Sequence, residues 1–497
     1  MALGPHFAVA FLGALFATAA AAAQDAAGPQ AMPAGAAHAP VQVSGVFPHL
    51  AMVADHTPRT EAGIGALMPW AGRLWAVTYV AHTAATGSGT GLYEIGPDLK
   101  LVKRAESVVG TYANRFVHGP SNQLVIGPHV IDAAGRVRTI DAIKGHRLTA
   151  TCAHLTDPAN KVYVVGMEGE FWEVDVRTLA ATDLGDLKVA LGLPKSAKPH
   201  FKGAWTHHKR VIVANNTFTE KQAAGGAADG RLAEWDGKDW VILERAAFTE
   251  VGAAGSFDEQ LMCVGADDRS VLLKVHAAGK WASYRLPRHG HGWDQTSTTE
   301  WMRLREVETE RGLLDAYGTF YEVPYNLIGG RLRGLRPVAS HLRVVPDFCS
   351  WRGMLVMAGN QATPMRFTAQ DRNPLAGQPQ AGLWFGKTDD LWNFGKPRGS
   401  GGVWRETAVK AGEPSDPFLM LGFDRKTLHL RRRGGEGPVK VTIEVDFLGD
   451  GSWAPYAVVE LPAGGYVPHV FPAGFGAEWA RVTAGADCTA TAHFTYE

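Results

Sequence analysis

The feature of this sequence that most constrains its fold is a repeated pairing of short apolar strands, separated by turns of Gly, Asp, Asn and Pro. Strands such as residues 73–80 (RLWAVTYV) and 161–165 (KVYVV) precede strands that end near an Asp/Gly turn, such as residues 171–176 (FWEVDV). These units recur at intervals of about 40 to 60 residues. Segments with apolar residues at helical spacing and proper caps are scarce. The pattern predicts an all-β chain folded as a β-propeller.

The extent of this pattern sets the number of blades and the domain boundaries. Roughly six to eight blades fit residues 46–497, and a stacked pair of β-sandwiches is the alternative. No interior stretch has the composition of a linker, so we predict one propeller catalytic domain over residues 46–497. Residues 439–497 could form either a final blade or a small appended sheet.

The N-terminal residues are predicted to direct export. Residues 7–23 are apolar and small and are followed by Gln24 and Asp25, so residues 1–23 are typical of a signal peptide. Residues 24–45 are rich in Ala, Gly, Pro and Gln and predict a flexible linker. No other run approaches the roughly 18 apolar residues of a membrane span. We therefore expect a protein without a membrane span, located in the periplasm or outside the cell.

Composition narrows the class of protein. The chain has 49 Lys and Arg against 49 Asp and Glu, which argues against a general nucleic-acid binder. A hydrophobic content of 46% supports a sizeable buried core. The four cysteines form no CxxC pair, so zinc-ribbon and thioredoxin-like sites are not supported. One or two disulfides and buried free thiols both remain open.

Five polar stretches carry the candidate functional residues. They are residues 53–94, 110–129, 146–157, 200–216 and 288–294. In a propeller the same position recurs once per blade, so loops far apart in the sequence can converge near the axis. We therefore expect imidazole, phenol and guanidinium groups from these stretches to meet in one cleft.

The residue types in these stretches favour one kind of chemistry. The sequence has no GxSxG, no phosphate-binding glycine loop after a strand and no HExxH. The nearest pair of acids for ordinary glycoside hydrolysis is Glu168 and Glu170. His, Tyr and Arg without a clear carboxylate pair fit β-elimination from a uronic acid. There a base removes the proton next to the carboxylate, Arg neutralises that carboxylate, and Tyr or His protonates the leaving oxygen.

Two further sets have alternative interpretations. His207 with His208, and the HGH sequence at residues 289–291, could hold a structural metal or be solvated loop histidines. Tryptophans could stack on sugar rings or pack between blades. We assign no metal site and expect no required cofactor, which leaves room for a structural divalent metal.

Five long segments resemble one family of bacterial propeller enzymes. They are ADHTPRTEAGIGALMPW, LWAVTYVAHTAATGSGTGLYEI, VVGTYANR, RLTATCAHLTDP with KVYVVGMEGEFWEVD, and GLWFGKTDDLWNFGKPRGSGGVW. They are similar to enzymes of an α-L-rhamnosidase and rhamnose–glucuronate lyase family, which is related to the ulvan lyase propellers. The resemblance spans about residues 46–497. It implies a seven-bladed β-propeller, secretion, and cleavage of the L-rhamnose-α-1,4-D-glucuronate linkage in arabinogalactan-type polysaccharides.

The resemblance leaves two reactions open beside a carbohydrate-binding propeller without turnover. For hydrolysis it implies a single catalytic histidine near the mature N-terminus, which His56 matches. For elimination, which we favour, it implies His, Tyr and Arg. His129 stands where an aromatic residue is expected, which puts it in doubt as a shared site residue. We expect a monomer that acts on a polysaccharide or oligosaccharide. The predicted catalytic residues are His56, His82, Tyr112, Arg115 and His118, and the predicted substrate-binding residues are Arg59, Arg147, His154, His207 and His208.

Overall fold

The structure of this chain is a computed structural model. It describes residues 62–80, 91–217, 229–253, 260–289, 302–308, 311–324, 330–341, 345–361 and 382–497. The predicted signal peptide and linker lie outside the described residues, as do the candidate site residues His56, Arg59 and His82.

Seven successive antiparallel units occupy the described part of residues 62–386. The first contains β1 (Ala62–Trp70), β2 (Arg73–Val80), β3 (Leu92–Ile95) and β4 (Leu101–Lys103). The second contains β5 (Arg115–His118), β6 (Gln123–Ile126), β7 (His129–Asp132) and β8 (Val137–Thr139). The third contains β9 (Leu148–Ala153), β10 (Lys161–Gly166), β11 (Glu170–Asp175) and β12 (Ala181–Asp186).

The remaining four units continue the same pattern. The fourth contains β13 (Phe201–His207), β14 (Arg210–Asn215), β15 (Arg231–Trp235) and β16 (Trp240–Glu244). The fifth contains β17 (Ala247–Gly252), β18 (Gln260–Ala266), β19 (Val271–Ala277) and β20 (Lys280–Leu286). The sixth contains β21 (Arg303–Glu308), β22 (Arg311–Ala316), β23 (Thr319–Val323) and β24 (Arg336–Ser340). The seventh contains β25 (Phe348–Trp351), β26 (Met354–Gln361) and β27 (Gly382–Gly386).

The units close into a ring around their first strands. Each first strand contacts the first strand of the next unit, and β25 contacts β1. In addition β26 pairs with β1, where Gly63 lies opposite Asn360. Apolar clusters lie between neighbouring sheets, as where Leu74 of the first unit packs in one cluster with Val356 of the seventh. Both faces of these sheets are covered, and accordingly the middle strands are mostly buried, as β10 and β18 are. The prediction of an all-β propeller is confirmed.

The last hundred residues form two further sheets outside this ring. One contains β28 (Gly399–Val409), β35 (Cys488–Tyr496), β30 (Lys426–Arg432) and β33 (Tyr466–Val470). The other contains β29 (Phe418–Leu419), β34 (Trp479–Ala484), β31 (Val439–Asp446) and β32 (Ala454–Leu461). Leu428 and Leu430 of the first sheet share one core with Val441 and Ile443 of the second.

This sandwich differs from the predicted single propeller over residues 46–497. Its strands alternate between buried and exposed residues, as β30 and β31 do. A sheet with this period of two has one apolar face and can cover only one partner, whereas a blade inside the ring must cover two. The sandwich joins the ring through β29, which pairs in parallel with β20 where Phe418 lies opposite Arg285.

Helical structure is sparse in the described residues, as predicted. It consists of α1 (Leu187–Ala190) and two short 3₁₀ segments, Gly119–Ser121 and Thr388–Asn393. Among the described residues, none of the helices has the length and apolar character that crossing a membrane requires.

All four cysteines are free thiols. Cys152, Cys263 and Cys349 are buried and Cys488 is half-buried. Burial raises the pKa of Cys152 and of Cys349 to about 12. The sequence left disulfides and buried free thiols open, and the structure has free thiols.

Candidate functional site

A cavity of about 410 Å³ lies among the first strands of six units. Strands β1, β5, β9, β13, β17 and β21 each contribute residues to its wall. Four basic and two acidic side chains line it, which gives an excess of positive charge. Those charged side chains are Arg115, Lys202, Glu250, Arg303, Arg305 and Glu306.

A buried ion-pair network fixes three arginines at this cavity. Asp347, which is fully buried and precedes β25, lies 3.0 Å from Nε of Arg115 and 2.9 Å from Nε of Arg305. Glu250 on β17 lies 2.6 Å from Nη1 of Arg305 and 3.1 Å from Nη1 of Arg303. These contacts connect units that are distant in sequence, and they hold the guanidinium groups in place before any ligand arrives.

The network keeps its members charged. Burial lowers the pKa of Arg115, but only to about 10, because Asp347 opposes the effect. Burial by itself would lower the pKa of Arg305, yet Asp347 and Glu250 raise it above its usual value. Burial by itself would raise the pKa of Asp347, and Arg115, Arg305 and Arg303 hold it below its usual value. The cavity therefore presents fixed guanidinium cations at neutral pH.

Two guanidinium nitrogens in the network keep capacity for a ligand. Nη1 of Arg115 contacts the thioether of Met68 at 2.9 Å, which is a weak acceptor. Arg305 donates through Nε and Nη1, and its Nη2 makes no hydrogen bond within the described residues. Both side chains are held by the same carboxylate of Asp347, so their remaining donors belong to one small region. A carboxylate or another oxyanion is the ligand that such donors suit.

Arg115 is the predicted site residue that the structure brings to this cavity. Trp205, one of the tryptophans for which stacking on sugar was an alternative, also lines the cavity and is half-buried. By contrast Trp75 and Trp384 are fully buried in clusters between sheets. Packing between blades is therefore the role of those two tryptophans.

Tyr112 is a core residue, which corrects its predicted catalytic role. Its side chain is fully buried, and its hydroxyl donates a 2.7 Å hydrogen bond to the carbonyl of Lys144. Burial raises the pKa of Tyr112 well above its usual value. Gly110 packs so closely on the phenol ring that any side chain there would overlap it. The phenol cannot reach a substrate in this arrangement.

His118 is also structural. It is buried at the end of β5 away from Arg115. One ring nitrogen lies 2.6 Å from Oγ of Ser121 and the other lies 2.9 Å from the carbonyl of Pro158. Burial lowers the pKa of His118. Both nitrogens are engaged, so the predicted catalytic role of His118 is not supported by its contacts.

His154 has a complete set of partners within the third unit. Its Nε2 lies 2.6 Å from Glu173, and its Nδ1 accepts from the backbone N–H groups of Thr156 and Asp157. Its ring stacks on Tyr163. These contacts fix the turn between β9 and β10, and they leave the predicted substrate-binding residue His154 buried and outside the cavity wall.

Arg147 and the two candidate acids pair with one another and with a histidine. Arg147 forms an ion pair with Glu168. Glu170 lies 3.0 Å from Nδ1 of His146. These residues belong to the third unit and are not among those that line the cavity. The predicted role of Arg147 in binding substrate is therefore not supported at this cavity.

His129 is fully buried on β7, and its Nδ1 lies 3.1 Å from Oγ1 of Thr139. Burial lowers the pKa of His129 to about 4. This packing agrees with the doubt raised by the sequence about His129 as a site residue.

His207 and His208 meet a third histidine instead of the cavity. They lie at the turn between β13 and β14, beside His276 at the end of β19. Nε2 of His207 lies 3.1 Å from Nδ1 of His276. Neither His207 nor His208 lines the axial cavity, so their predicted role in binding substrate there is not supported.

Sequence reasoning missed most of the charged residues at the axis. Arg303 is buried at the start of β21, and Glu250 interrupts a strand that is buried along its whole length. A charge at a buried strand position is unusual, because desolvation must be offset by a partner. Buried charges in strands could therefore have indicated these positions, whereas the predicted site residues were mostly histidines in loops.

No protein-family model matches the chain, and no curated protein matches it significantly. Among solved structures it is similar to the WD40 repeats of RRP9, with 11% identity and a TM-score of 0.41, over 67% of this chain and 99% of that one. It is also similar to U3-55K, with 13% identity and a TM-score of 0.38, over 66% of this chain and all of that one. For PorZ, a surface component of the type-IX secretion system of Porphyromonas gingivalis, identity is 14% and the TM-score 0.34, over 80% of this chain and 46% of that one. At these TM-scores the fold is established by the sheets of this chain alone.

Proposed function

We propose that this chain is an exported carbohydrate-active propeller that binds a uronate-containing saccharide in the axial cavity. We propose further that it cleaves the terminal L-rhamnose-α-1,4-D-glucuronate linkage by β-elimination. The observation that carries the proposal is the pair of guanidinium donors that Arg115 and Arg305 keep at the cavity. The cavity volume of about 410 Å³ falls within the range of small-molecule sites. The choice of rhamnose and glucuronate rests on the sequence resemblance.

The reaction requires that a carboxylate be neutralised. A base takes the proton from C5 of the glucuronate, the electron pair forms the C4–C5 double bond, and the C4–O4 bond breaks. O4 leaves on rhamnose and takes up a proton from a general acid. The negative charge that develops on the uronate carboxylate is stabilised by fixed cations. Arg115 and Arg305 are the cations of this proposal, because Asp347 holds both guanidinium groups in place before the substrate binds.

The proton-transfer groups of this proposal come from the N-terminal part of the chain. His56 precedes β1 and His82 follows β2, and both lie outside the described residues. Gly63 near the start of β1 pairs with Tyr79 near the end of β2. We propose His82 as the base of the elimination, with His56 as the residue on which a hydrolase would depend.

The test is incubation of the mature protein with rhamnosyl-glucuronate disaccharide or gum arabic. Ultraviolet absorbance reports the unsaturated uronate, and free rhamnose is measured separately. Rhamnose together with the absorbance is the expected result. Rhamnose without the absorbance would replace elimination by hydrolysis. Neither product, with saturable binding of the saccharide, would leave a carbohydrate-binding propeller without turnover.

The cavity is tested with Arg115→Lys and Arg305→Lys. A lysine keeps the charge opposite Asp347 but loses the planar fork, so we expect binding of a glucuronate oligosaccharide to weaken about ten-fold or more. Arg311→Lys on β22, whose arginine pairs with Asp389 away from the cavity, is the matched control and should bind normally. Binding should also weaken as salt is raised. Equal affinity in all three variants would remove the cavity from the proposal.

The binding-only alternative has one observation in its favour. No histidine or tyrosine occurs among the described residues that line the cavity, and Tyr112 and His118 are engaged elsewhere. Under this alternative, Arg115→Lys weakens binding while His82→Ala changes nothing. Under the elimination proposal, His82→Ala abolishes turnover and leaves binding in place.

A further inference from the structure

Three histidines from two neighbouring units converge at the edge of the ring. His207 and His208 belong to the turn between β13 and β14, and His276 belongs to β19 of the next unit. Their ligand nitrogens all lie within 4.8 Å of one another. His207 and His276 are buried, whereas His208 is exposed. Residues 69 positions apart in the sequence are thereby joined across the boundary between two sheets.

The distance between two of the three histidines is close to that in a zinc site. Two nitrogens that are each about 2.0–2.1 Å from a tetrahedral zinc ion stand about 3.3–3.4 Å apart. Nε2 of His207 and Nδ1 of His276 are 3.1 Å apart. The three rings meet nearly edge to face, with interplanar angles of 63°, 74° and 83°.

The donor set of the cluster suits a metal. The neutral imidazole, which carries a lone pair, is the form that binds a metal. Within the described residues no carboxylate joins the cluster, so the donor set is imidazole alone, which suits zinc, copper and nickel.

The backbone of the turn is held in an unusual conformation. His208 and Lys209 have φ values of +48° and +57°, in the left-handed region that favours Gly and Asn in two-residue hairpin turns. His207 and Arg210 pair directly on either side. This conformation presents the ring of His208 to the two buried histidines. Trp281 also packs edge to face on His276, with the ring centroids 5.0 Å apart.

We propose that His207, His208 and His276 form a site for a divalent transition-metal ion, with zinc as the ion of choice, that clamps the fourth unit of the ring to the fifth. The exposure of His208 leaves the fourth coordination position open to water. The ion would replace the contact between the rings of His207 and His276. This site is separate from the axial cavity and does not depend on the proposed reaction.

The experiment uses the mature chain without a histidine tag, after treatment with a chelator and dialysis. Zinc chloride is titrated by calorimetry, and bound metal is counted by mass spectrometry. We expect one zinc ion per chain in the wild type. His208→Asn keeps a residue that tolerates the turn conformation, and His276→Gln keeps a polar side chain of similar size. Each should bind zinc at least about ten-fold more weakly, because each removes one of three ligands.

Lys209→Asn is the matched control, because it changes the adjacent position of the same turn and spares all three imidazoles. It should bind zinc as the wild type does. Thermal unfolding gives a second measurement: zinc should raise the midpoint of the wild type and of Lys209→Asn, and not that of the other two variants. The proposal is overturned if the wild type takes up no zinc at this stoichiometry, or if either histidine variant binds zinc as tightly as the control.

Discussion

The axial cavity and the cluster around His154 both join basic side chains to carboxylates, but they differ in how completely those groups are paired. In the cluster, both ring nitrogens of His154 are used, and Glu173 also accepts from Lys161. At the cavity, Arg115 and Arg305 are fixed by Asp347 and still keep donor capacity next to an open volume. Residue type alone therefore does not identify a binding site. Hydrogen-bond donors that are fixed in place beside an open cavity are a better indication of one.

Asp347→Asn should produce the largest loss of stability. The amide cannot balance the buried guanidinium groups of Arg115 and Arg305, and we expect the free energy of unfolding to fall by about 3–5 kcal/mol. Denaturant titration measures this loss. Asp141→Asn, which alters an exposed carboxylate paired with Lys144, is the control and should leave the midpoint unchanged. If both variants lose the same stability, the network does not hold the axis together.

Arg285 is a buried arginine whose donors are all paired, and it can be compared with Arg115 and Arg305 at the cavity. Arg285 donates to Asp416 through Nε and to Asp267 through Nη1 and Nη2. Burial alone would raise the pKa of Asp267, but Arg285 and Arg269 hold it at about 2. An unfolded aspartate has a pKa of about 3.9, so the pair contributes stability above that pH and loses it as the pH falls towards 2.

We expect the wild type to lose about 2.5 kcal/mol through Asp267 over that acid range. Asp267→Asn should be less stable at neutral pH and should lack this part of the acid dependence. Urea titrations at a series of pH values between about 5 and 2 measure it. A wild type and variant with parallel acid profiles would show that this pair contributes little.

His154→Leu should lower stability without changing saccharide binding, which would distinguish the His154 cluster from the axial cavity. The backbone N–H groups of Thr156 and Asp157 lose their acceptor, which should lower the free energy of unfolding by about 2 kcal/mol. Binding of a glucuronate oligosaccharide should not change, in contrast to Arg115→Lys. Titration calorimetry and thermal unfolding measure the two effects. Weaker binding at unchanged stability would restore His154 as a substrate-binding residue.

Tyr112→Phe should have the smallest effect. It removes the hydrogen bond to Lys144 and should cost about 1 kcal/mol, because the ring still fills its place in the core. Turnover of the disaccharide should be the same as in the wild type when both are assayed well below their melting temperatures. A large loss of turnover with intact stability would return Tyr112 to the catalytic residues.

Much of the ring could be predicted from the sequence. Strands such as Arg73–Val80 and Lys161–Gly166 occur at the predicted positions, because runs of apolar residues between turn residues have few other ways to bury themselves. The C-terminal sandwich was harder to predict. A strand of a sandwich and a strand of a blade have similar length and composition, and the propeller was extended over both.

The residues of the candidate site were also predicted only in part. Arg115 was predicted because it stands in a polar stretch at the start of a strand, and the structure brings it to the cavity. Arg303, Arg305 and Asp347 were not predicted, since each is paired with a residue that is far away in the sequence. Likewise His207 and His208 were noted together, but His276 could not be joined to them without the contact between the fourth and fifth units.

Local sequence patterns are enough to show that this chain is built of strands, where the turns fall, and that its charges are balanced overall. Those properties depend on local alternation, turn residues and composition. The tertiary structure decided which polar groups are satisfied and which remain available. Tyr112 and Arg115 are three residues apart, yet the first is sealed in the core and the second lies at the cavity. That outcome depends on burial and on partners from other sheets, which no local pattern contains.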